Sequence, residues 1–239
     1  MYFNEFYVLH EQKQTKVIVR NYTQQDFKQM IALQAACFPP PFLQELWWNE
    51  TQLLNHTTYF PDGAICVELN GEIVGSMTSL LVHFNIENAA HTWEEITDNG
   101  YITTHNKLGN TLDIVDLCVH PSFRHLGLGK WMMQAMYHVV IERKLIRLLG
   151  GGRMPGYKNV AAQYTPQQYV DAVLNGVVKD PVLTFLLRCG RSPIKVVENY
   201  LQDEESKNYG VLMEWKNPFI QQTFKEESFN GIRSYTIDK

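Results

Sequence analysis

The run Val119-His120-Pro121-Ser122-Phe123-Arg124-His125-Leu126-Gly127-Leu128-Gly129-Lys130 gathers the residue types that hold an anion. Leu112 to Val119 is apolar and reads as a strand, Pro121 ends it, and a long amphipathic run starts at the glycines. The turn that opens a helix carries backbone N–H groups with no partner inside the helix, and together with the helix dipole they suit a pyrophosphate. Gly127 and Gly129 lack a Cβ, so the main chain can bend and approach a ligand oxygen closely, while Arg124 and Lys130 add positive charge. Other phosphate loops fit worse. A Walker loop needs glycine where Arg124 stands, and the dinucleotide fingerprint needs a third glycine where Met132 stands.

A carboxylate lies inside the same strand. Alternation places Ile114, Asp116 and Cys118 on one face, opposite Val115, Leu117 and Val119. An acid in an apolar strand costs desolvation free energy unless it is partnered, so Asp116 is either a working base or a structural acceptor. Asp113 and His120 are weaker candidates for the base. His120, His125 and Cys118 are close in sequence but lack ligand spacing with a fourth partner, so no metal is expected.

The elements around these groups follow from local signals. Lys16 to Arg20 reads as a strand. Thr23 and Asp26 form a capping box before a helix with Phe27, Met30 and Ile31 on its apolar side, stopped at Pro39-Pro40-Pro41. Phe42 to Leu54 reads as a second helix, with Leu43, Leu46, Trp47 and Leu54 inward. Ala64–Leu69 and Glu72–Val82 flank Asn70-Gly71, a two-residue hairpin signal. Residues 84–110 are polar and too long for a hairpin loop; they either cover a substrate or are a solvated excursion. After the glycine turn, Leu128, Trp131, Met132, Ala135, Met136 and Val139 are expected to make one buried helix face. Leu145–Leu149 is the next strand, followed by the turn from Gly150 to Tyr157. Thr165-Pro166 and Asp180-Pro181 each open a helix. Ile194–Leu201 and Tyr209–Trp215 form a final strand pair around an acidic loop, Asp203-Glu204-Glu205.

The segment Arg124-x-x-Gly127-x-Gly129 resembles motif A of the GNAT superfamily, the acetyl-CoA-dependent N-acetyltransferases, and the order strand, two helices, hairpin, strand, helix agrees with that family. Gly151 to Tyr157, Asp180 to Phe185 and Glu198 to Leu201 resemble the acetyltransferase portion of bacterial chains that fuse such a domain to a carbon–nitrogen hydrolase. The resemblance covers roughly residues 16–217. It implies an α/β (α+β) GNAT fold, a central mixed, mostly antiparallel twisted sheet of about seven strands flanked by helices. The domain would run over 16–217, with insertions near 84–110 and 150–180, an N-terminal extension at 1–15 and a C-terminal tail at 218–239.

It further implies acetyl-CoA as cosubstrate, its pyrophosphate on the amides of residues 125 to 130 and its pantetheine arm along Leu117, Cys118 and Val119. Leu117, Cys118, Val119, Arg124, His125, Leu126, Gly127, Leu128, Gly129 and Lys130 are thus the expected cofactor-binding residues. The implied reaction is direct transfer of an acetyl group to a primary amine of a small molecule or peptide, with Asp116 as base. The alternative is a catalytically silent CoA-binding or partner-docking module. Many family members carry an acidic tyrosine where this chain has Leu186, and an aromatic where it has Arg191, so Tyr157 and Tyr209 are the substitutes considered for the acid. Arg153 pairs either with a ligand anion or with solvent. A homodimer and a carbon–nitrogen hydrolase partner are the protein associations considered.

Composition bounds the rest. A net charge of −4 argues against a nucleic-acid binder, which needs a basic face. Cys37, Cys66, Cys118 and Cys189 are widely spaced in apolar segments and read as reduced thiols. No apolar run reaches the roughly 20 residues that span a bilayer, and the N-terminus lacks the pattern of a secretory signal. The expectation is a cytoplasmic protein with no membrane partner.

Overall fold

A computed structural model describes residues 1–85 and 91–220. The expected tail beyond 220 and residues 86–90 of the insertion lie outside that range. Nine strands form the sheet: β1 (Phe3–His10), β2 (Lys13–Asn21), β3 (Ala64–Leu69), β4 (Glu72–Val82), β5 (Thr111–Val119), β6 (Arg147–Leu149), β7 (Gly151–Arg153), β8 (Ser192–Val197) and β9 (Gly210–Lys216). The six α-helices are α1 (Phe27–Cys37), α2 (Glu50–Tyr59), α3 (Trp93–Thr97), α4 (Leu128–Glu142), α5 (Pro166–Leu174) and α6 (Pro181–Arg188). The strand order is β1-β2-β3-β4-β5-β6-β9-β7, with β8 on β9, and every pair is antiparallel except β5 with β6. The mixed, mostly antiparallel sheet flanked by helices is the expected GNAT architecture.

Two features raise the strand number above the expected seven. Residues 3–10, within the expected N-terminal extension, pair along their whole length with β2 as an edge strand. Tyr2, Phe6, Val8 and His10 face inward, with Phe6 stacked on Trp131 of α4 at 4.3 Å. The strand expected at Leu145–Leu149 continues past Gly150 as β7, and both pieces lie against β9. A third difference concerns the helix expected over 42–54. Asn49 caps α2 by exchanging bonds with Gln52, accepting from its N–H at 3.0 Å and donating its own N–H to Oε1 at 2.9 Å, so the helix begins at Glu50. Leu54 then points to solvent at 43% exposure, and residues 38–48 run as an irregular wall in which Trp47 Nε1 donates to Phe38 O.

The two faces of the sheet carry separate cores. Leu128, Met132, Met136 and Val139 of α4 pack on one face with Leu183 and Leu186 of α6, whereas Trp131, expected among them, is 40% exposed because it lies under the edge strand against Phe6. Met30 and Leu33 of α1, Leu53 of α2, Trp48 and Trp93 pack on the other. α6 is anchored at its start by Asp180, which is fully buried. Its carboxylate accepts the N–H groups of Val182 and Leu183 at 2.9 Å each, the Tyr169 hydroxyl at 2.8 Å and the Gly156 N–H at 3.0 Å. Asp180→Ala removes a helix cap and strands a buried hydroxyl and amide, so it is expected to destabilise the chain by roughly 3 kcal/mol or more. Urea unfolding monitored by circular dichroism measures that loss.

Candidate active site

The site begins where the sheet opens. β5 and β6 pair in parallel only from Thr111↔Arg147 to Asp113↔Leu149. Beyond that, the chain turns at Gly150 and follows β9 away from β5. Arg191, 3% exposed, holds the turn by donating from Nη2 to Gly150 O at 3.0 Å and to Met213 O. No other strand pairs with the far edge of residues 114–119 among the described residues. The register settles which main-chain groups face that edge. His120 N–H donates to Val74 O at 2.8 Å, so Cys118 and Asp116, two and four residues back, share the phase bonded to β4. Leu117 and Val119 therefore turn their N–H and C=O groups toward the opening.

Two side chains trim this edge. Arg124 Nε donates to Val119 O at 3.1 Å, and Trp93 Nε1 donates to Val115 O at 2.9 Å. The β5 chain bulges at Val115, where the register with β4 slips between Thr78 and Ser79. Trp93 comes from the 84–110 segment through the short, capped α3, and its own N–H donates to Tyr200 O at 2.8 Å. That part of the insertion thus forms a wall of the site.

A cavity of about 810 Å³ fills the opening, within the ~300–1,000 Å³ range of small-ligand pockets. It crosses the plane of the sheet. At the α4 face it meets Arg124, Gly127, Gly129, Lys130, Phe185 and Arg188; at the α1 face it meets Gln34, Asp116, Phe38, Trp48 and Trp93. Gly127 joins a 3-10 turn over Pro121–Leu126 to α4 with φ +71°, a left-handed conformation that favours glycine. The N–H groups of Leu128 and Gly129 open α4 with no carbonyl one turn back inside the helix, which leaves donors and a dipole suited to an anion. A Cβ on Gly129 would come within 3.1 Å of the Phe185 ring, so this position also lets α6 approach.

Asp116 is the carboxylate of the cavity wall. Gln34 Nε2 donates to its Oδ2 at 2.8 Å. Burial pushes its pKa up to about 6, offset in part by Gln34 and the Leu117 amide. Asp113 lies off the wall. It is 1% exposed, neither oxygen meets a side-chain partner, and burial raises it to about 7 against the pull of the Arg191 charge. Burial in turn lowers Arg191 to about 10. Cys118 turns its thiol into the α1 face beside Ser76 Oγ at 3.3 Å, with burial and the neighbouring Cys37 thiol pushing it upward, so it stays a thiol.

Several expected site residues stand elsewhere. Tyr157 is buried, donates its hydroxyl to Tyr164 O at 3.1 Å, and packs edge-on against Tyr209 at 6.0 Å; neither tyrosine lines the cavity. The Tyr209 hydroxyl is 3.4 Å from Glu198. Tyr200, which was not singled out, does line it, and burial keeps its hydroxyl protonated. The side chains of His125 and Leu126 lie off the wall, and that of Leu128 is core, so any cofactor contact they make is through the main chain. The Lys130 N–H donates to Gly127 O at 3.0 Å, leaving its side chain for the cavity. Arg153 does reach the wall, but its guanidinium is held by Asp203 at 2.7 and 2.8 Å and by Glu205 at 3.1 Å. Asp203 of the acidic loop is 5% exposed. No group of three His, Cys, Asp or Glu is placed to hold a metal among the described residues, and no described helix is long and apolar enough to cross a membrane.

Comparison with known proteins agrees with this geometry. The acetyltransferase (GNAT) family model matches residues 27–153, and the chain belongs to that family. It is 53% identical over 217 residues to the protein named "Uncharacterized N-acetyltransferase YkwB" of Bacillus subtilis (strain 168), covering 91% of this chain and 96% of the relative. It is 37% identical over 203 residues to the "Probable hydrolase YhcX" of the same organism, covering 84% of this chain but 39% of that longer protein. In fold it resembles the loading GNATL domain of CurA from Lyngbya majuscula, with a TM-score of 0.72 at 19% identity over 84% of this chain and 98% of that one. The chain is a transferase of the N-acetyltransferase type.

The buried acids make stability depend on pH. A carboxyl raised from 3.8 to about 7 keeps its proton in the folded chain after the unfolded chain has lost it. The contribution of Asp113 is therefore complete below pH 3.8 and is lost as pH rises to about 7. His56, lowered from 6.5 to about 4 by burial, works in the opposite sense, its contribution growing as pH rises through that window. Comparing Asp113→Asn with the parent isolates the first effect. The variant is expected to gain stability relative to the parent between pH 5 and pH 8, by on the order of 1–3 kcal/mol, in urea unfolding at both values.

Proposed function

We propose that the chain transfers the acetyl group of acetyl-CoA to the nitrogen of a primary amine by direct attack. The observation that carries this reading is a single cavity that joins the glycine loop on the α4 face to a half-buried carboxylate on the α1 face, along an open strand edge. The loop at Gly127–Lys130 suits the cofactor's pyrophosphate, with Arg124 and Lys130 beside it. The Leu117 and Val119 main-chain groups suit the amides of the pantetheine arm, which would pair as a further strand does. That arm leads the thioester across the sheet plane toward Asp116.

In the reaction, the amine nitrogen bonds to the thioester carbonyl carbon and the carbon–sulfur bond breaks. The ammonium first loses a proton, which Asp116 accepts directly or through water. A pKa of about 6 leaves Asp116 ionised at neutral pH and close enough to the working pH to serve as a base. Tyr200, the protonated tyrosine of the wall, is the donor we assign to the leaving thiolate in place of Tyr157 and Tyr209, and the proton shed by the acylated nitrogen restores its hydroxyl.

Two measurements test this reading. Acetyl-CoA-dependent thiol release with a saturating amine is expected to rise as pH increases through about 6, and Asp116→Asn is expected to lower kcat by roughly 10²-fold or more and flatten that rise. A variant with the parent's rate and profile refutes the base assignment. Gly129→Val crowds Phe185 and the loop, so calorimetry is expected to show at least ten-fold weaker CoA binding. Unchanged affinity places the nucleotide elsewhere.

A further inference from the structure

The α1 end of the cavity differs in chemistry from the nucleotide end. Its wall is mostly flat and apolar, formed by Phe38, Phe42, Leu46, Trp48, Trp93 and Leu201. Phe38 and Phe42 pack with ring centroids 4.9 Å apart. Trp93 is tied down by its indole bond to Val115 O and its main-chain bond to Tyr200 O. Trp48 is 3% exposed and stands edge-on to His56 at 5.0 Å. These surfaces are held before any ligand arrives, so little ordering is required to bind a flat group between them.

The charges at this end are equally specific. Asp116 and Glu205 line it, the cation beside the rings is Arg153, and Arg191 lies deeper in the fork, bonded to the Gly150 and Met213 carbonyls. Its guanidinium already makes three bonds to Asp203 and Glu205 and lies over the Phe42 ring at 5.2 Å. A substrate carboxylate would meet two acids and two arginines that already bond protein oxygens. A polyamine or polyhydroxylated amine would have to leave its extra polar groups against aromatic walls, and each such unpaired group costs ~1–3 kcal/mol.

We propose that the amine accepted here is a monoamine with a flat aromatic body and no carboxylate, its ammonium directed at Asp116 and its ring between the phenylalanines and tryptophans. This proposal rests on the transferase reading above and adds the class of acceptor. Burial of a phenyl-sized group corresponds to roughly ten- to hundred-fold in binding.

The test is acetyl-CoA-dependent thiol release, with mass detection of the N-acetyl product, for 2-phenylethylamine, ethylamine, phenylalanine and spermidine. The expected result is kcat/KM at least ten-fold higher for 2-phenylethylamine than for any of the other three. Phe42→Ala is expected to shrink the ratio of 2-phenylethylamine to ethylamine at least three-fold, and an unchanged ratio overturns the placement of the ring. Turnover led by phenylalanine or spermidine, or equal turnover of ethylamine, overturns this proposal and leaves the transferase reading standing. Absence of thiol release and product with every amine removes both.

Discussion

The parting of β5 from β6 after Asp113 and Leu149 is the constraint on which the site depends. A continuous sheet would bond the Leu117 and Val119 main-chain groups to a neighbour and close the space between the two cores. Here β9 takes both β6 and β7 while the chain between them turns at Gly150, and the buried Arg191 ties the Gly150 and Met213 carbonyls together across the bend. An arginine with no solvent is costly, and its lowered pKa records that cost. Its main-chain bonds, with the negative end of Asp113 nearby, hold the divergence in place. Arg191 occupies a position where the resemblance leads one to expect an aromatic, so this chain braces the fork with hydrogen bonds and charge.

The opening places unlike environments at opposite ends of one space. At the α4 end the donors are main-chain N–H groups and flexible cations near solvent, which suit a highly charged nucleotide. At the α1 end there are aromatic rings and an acid deep enough in the protein for its pKa to reach about 6. Asp113 and Asp116 sit three residues apart on one strand, yet they differ in availability. Asp116 borders the cavity and is bonded to Gln34, whereas Asp113 is sealed beneath the fork without a side-chain partner. The Val115 bulge, with its carbonyl held by Trp93, lies between them and separates the acid on the cavity wall from the sealed one.

Much of the frame was legible before any tertiary contact was known. The Asn70-Gly71 hairpin, the Thr23–Asp26 capping box and the Pro-started α5 and α6 are signals spanning a few residues, and each appears where expected. The glycine turn that opens α4 is of the same kind, because Pro121 and Gly127 act on their immediate neighbours. β1 was missed although Tyr2, Phe6, Val8 and His10 alternate, because what makes that pattern a strand is Trp131 and Phe123, more than a hundred residues away. The helix expected over 42–54 failed because apolar spacing at 43, 46, 47 and 54 competed with a stronger local signal, the reciprocal bonds of Asn49 and Gln52.

Local sequence by itself determined the glycine turn before α4, the hairpin, the Pro-started helices and the acid within β5, since each depends on near neighbours. Only the tertiary structure decided which tyrosine reaches the cavity, that Arg153 is neutralised by Asp203 and Glu205 some fifty residues away, and that Trp93 closes one wall. Those outcomes depend on which distant segments share a face of the sheet. Burial, and with it the pKa of Asp116, exists only once both faces have been covered.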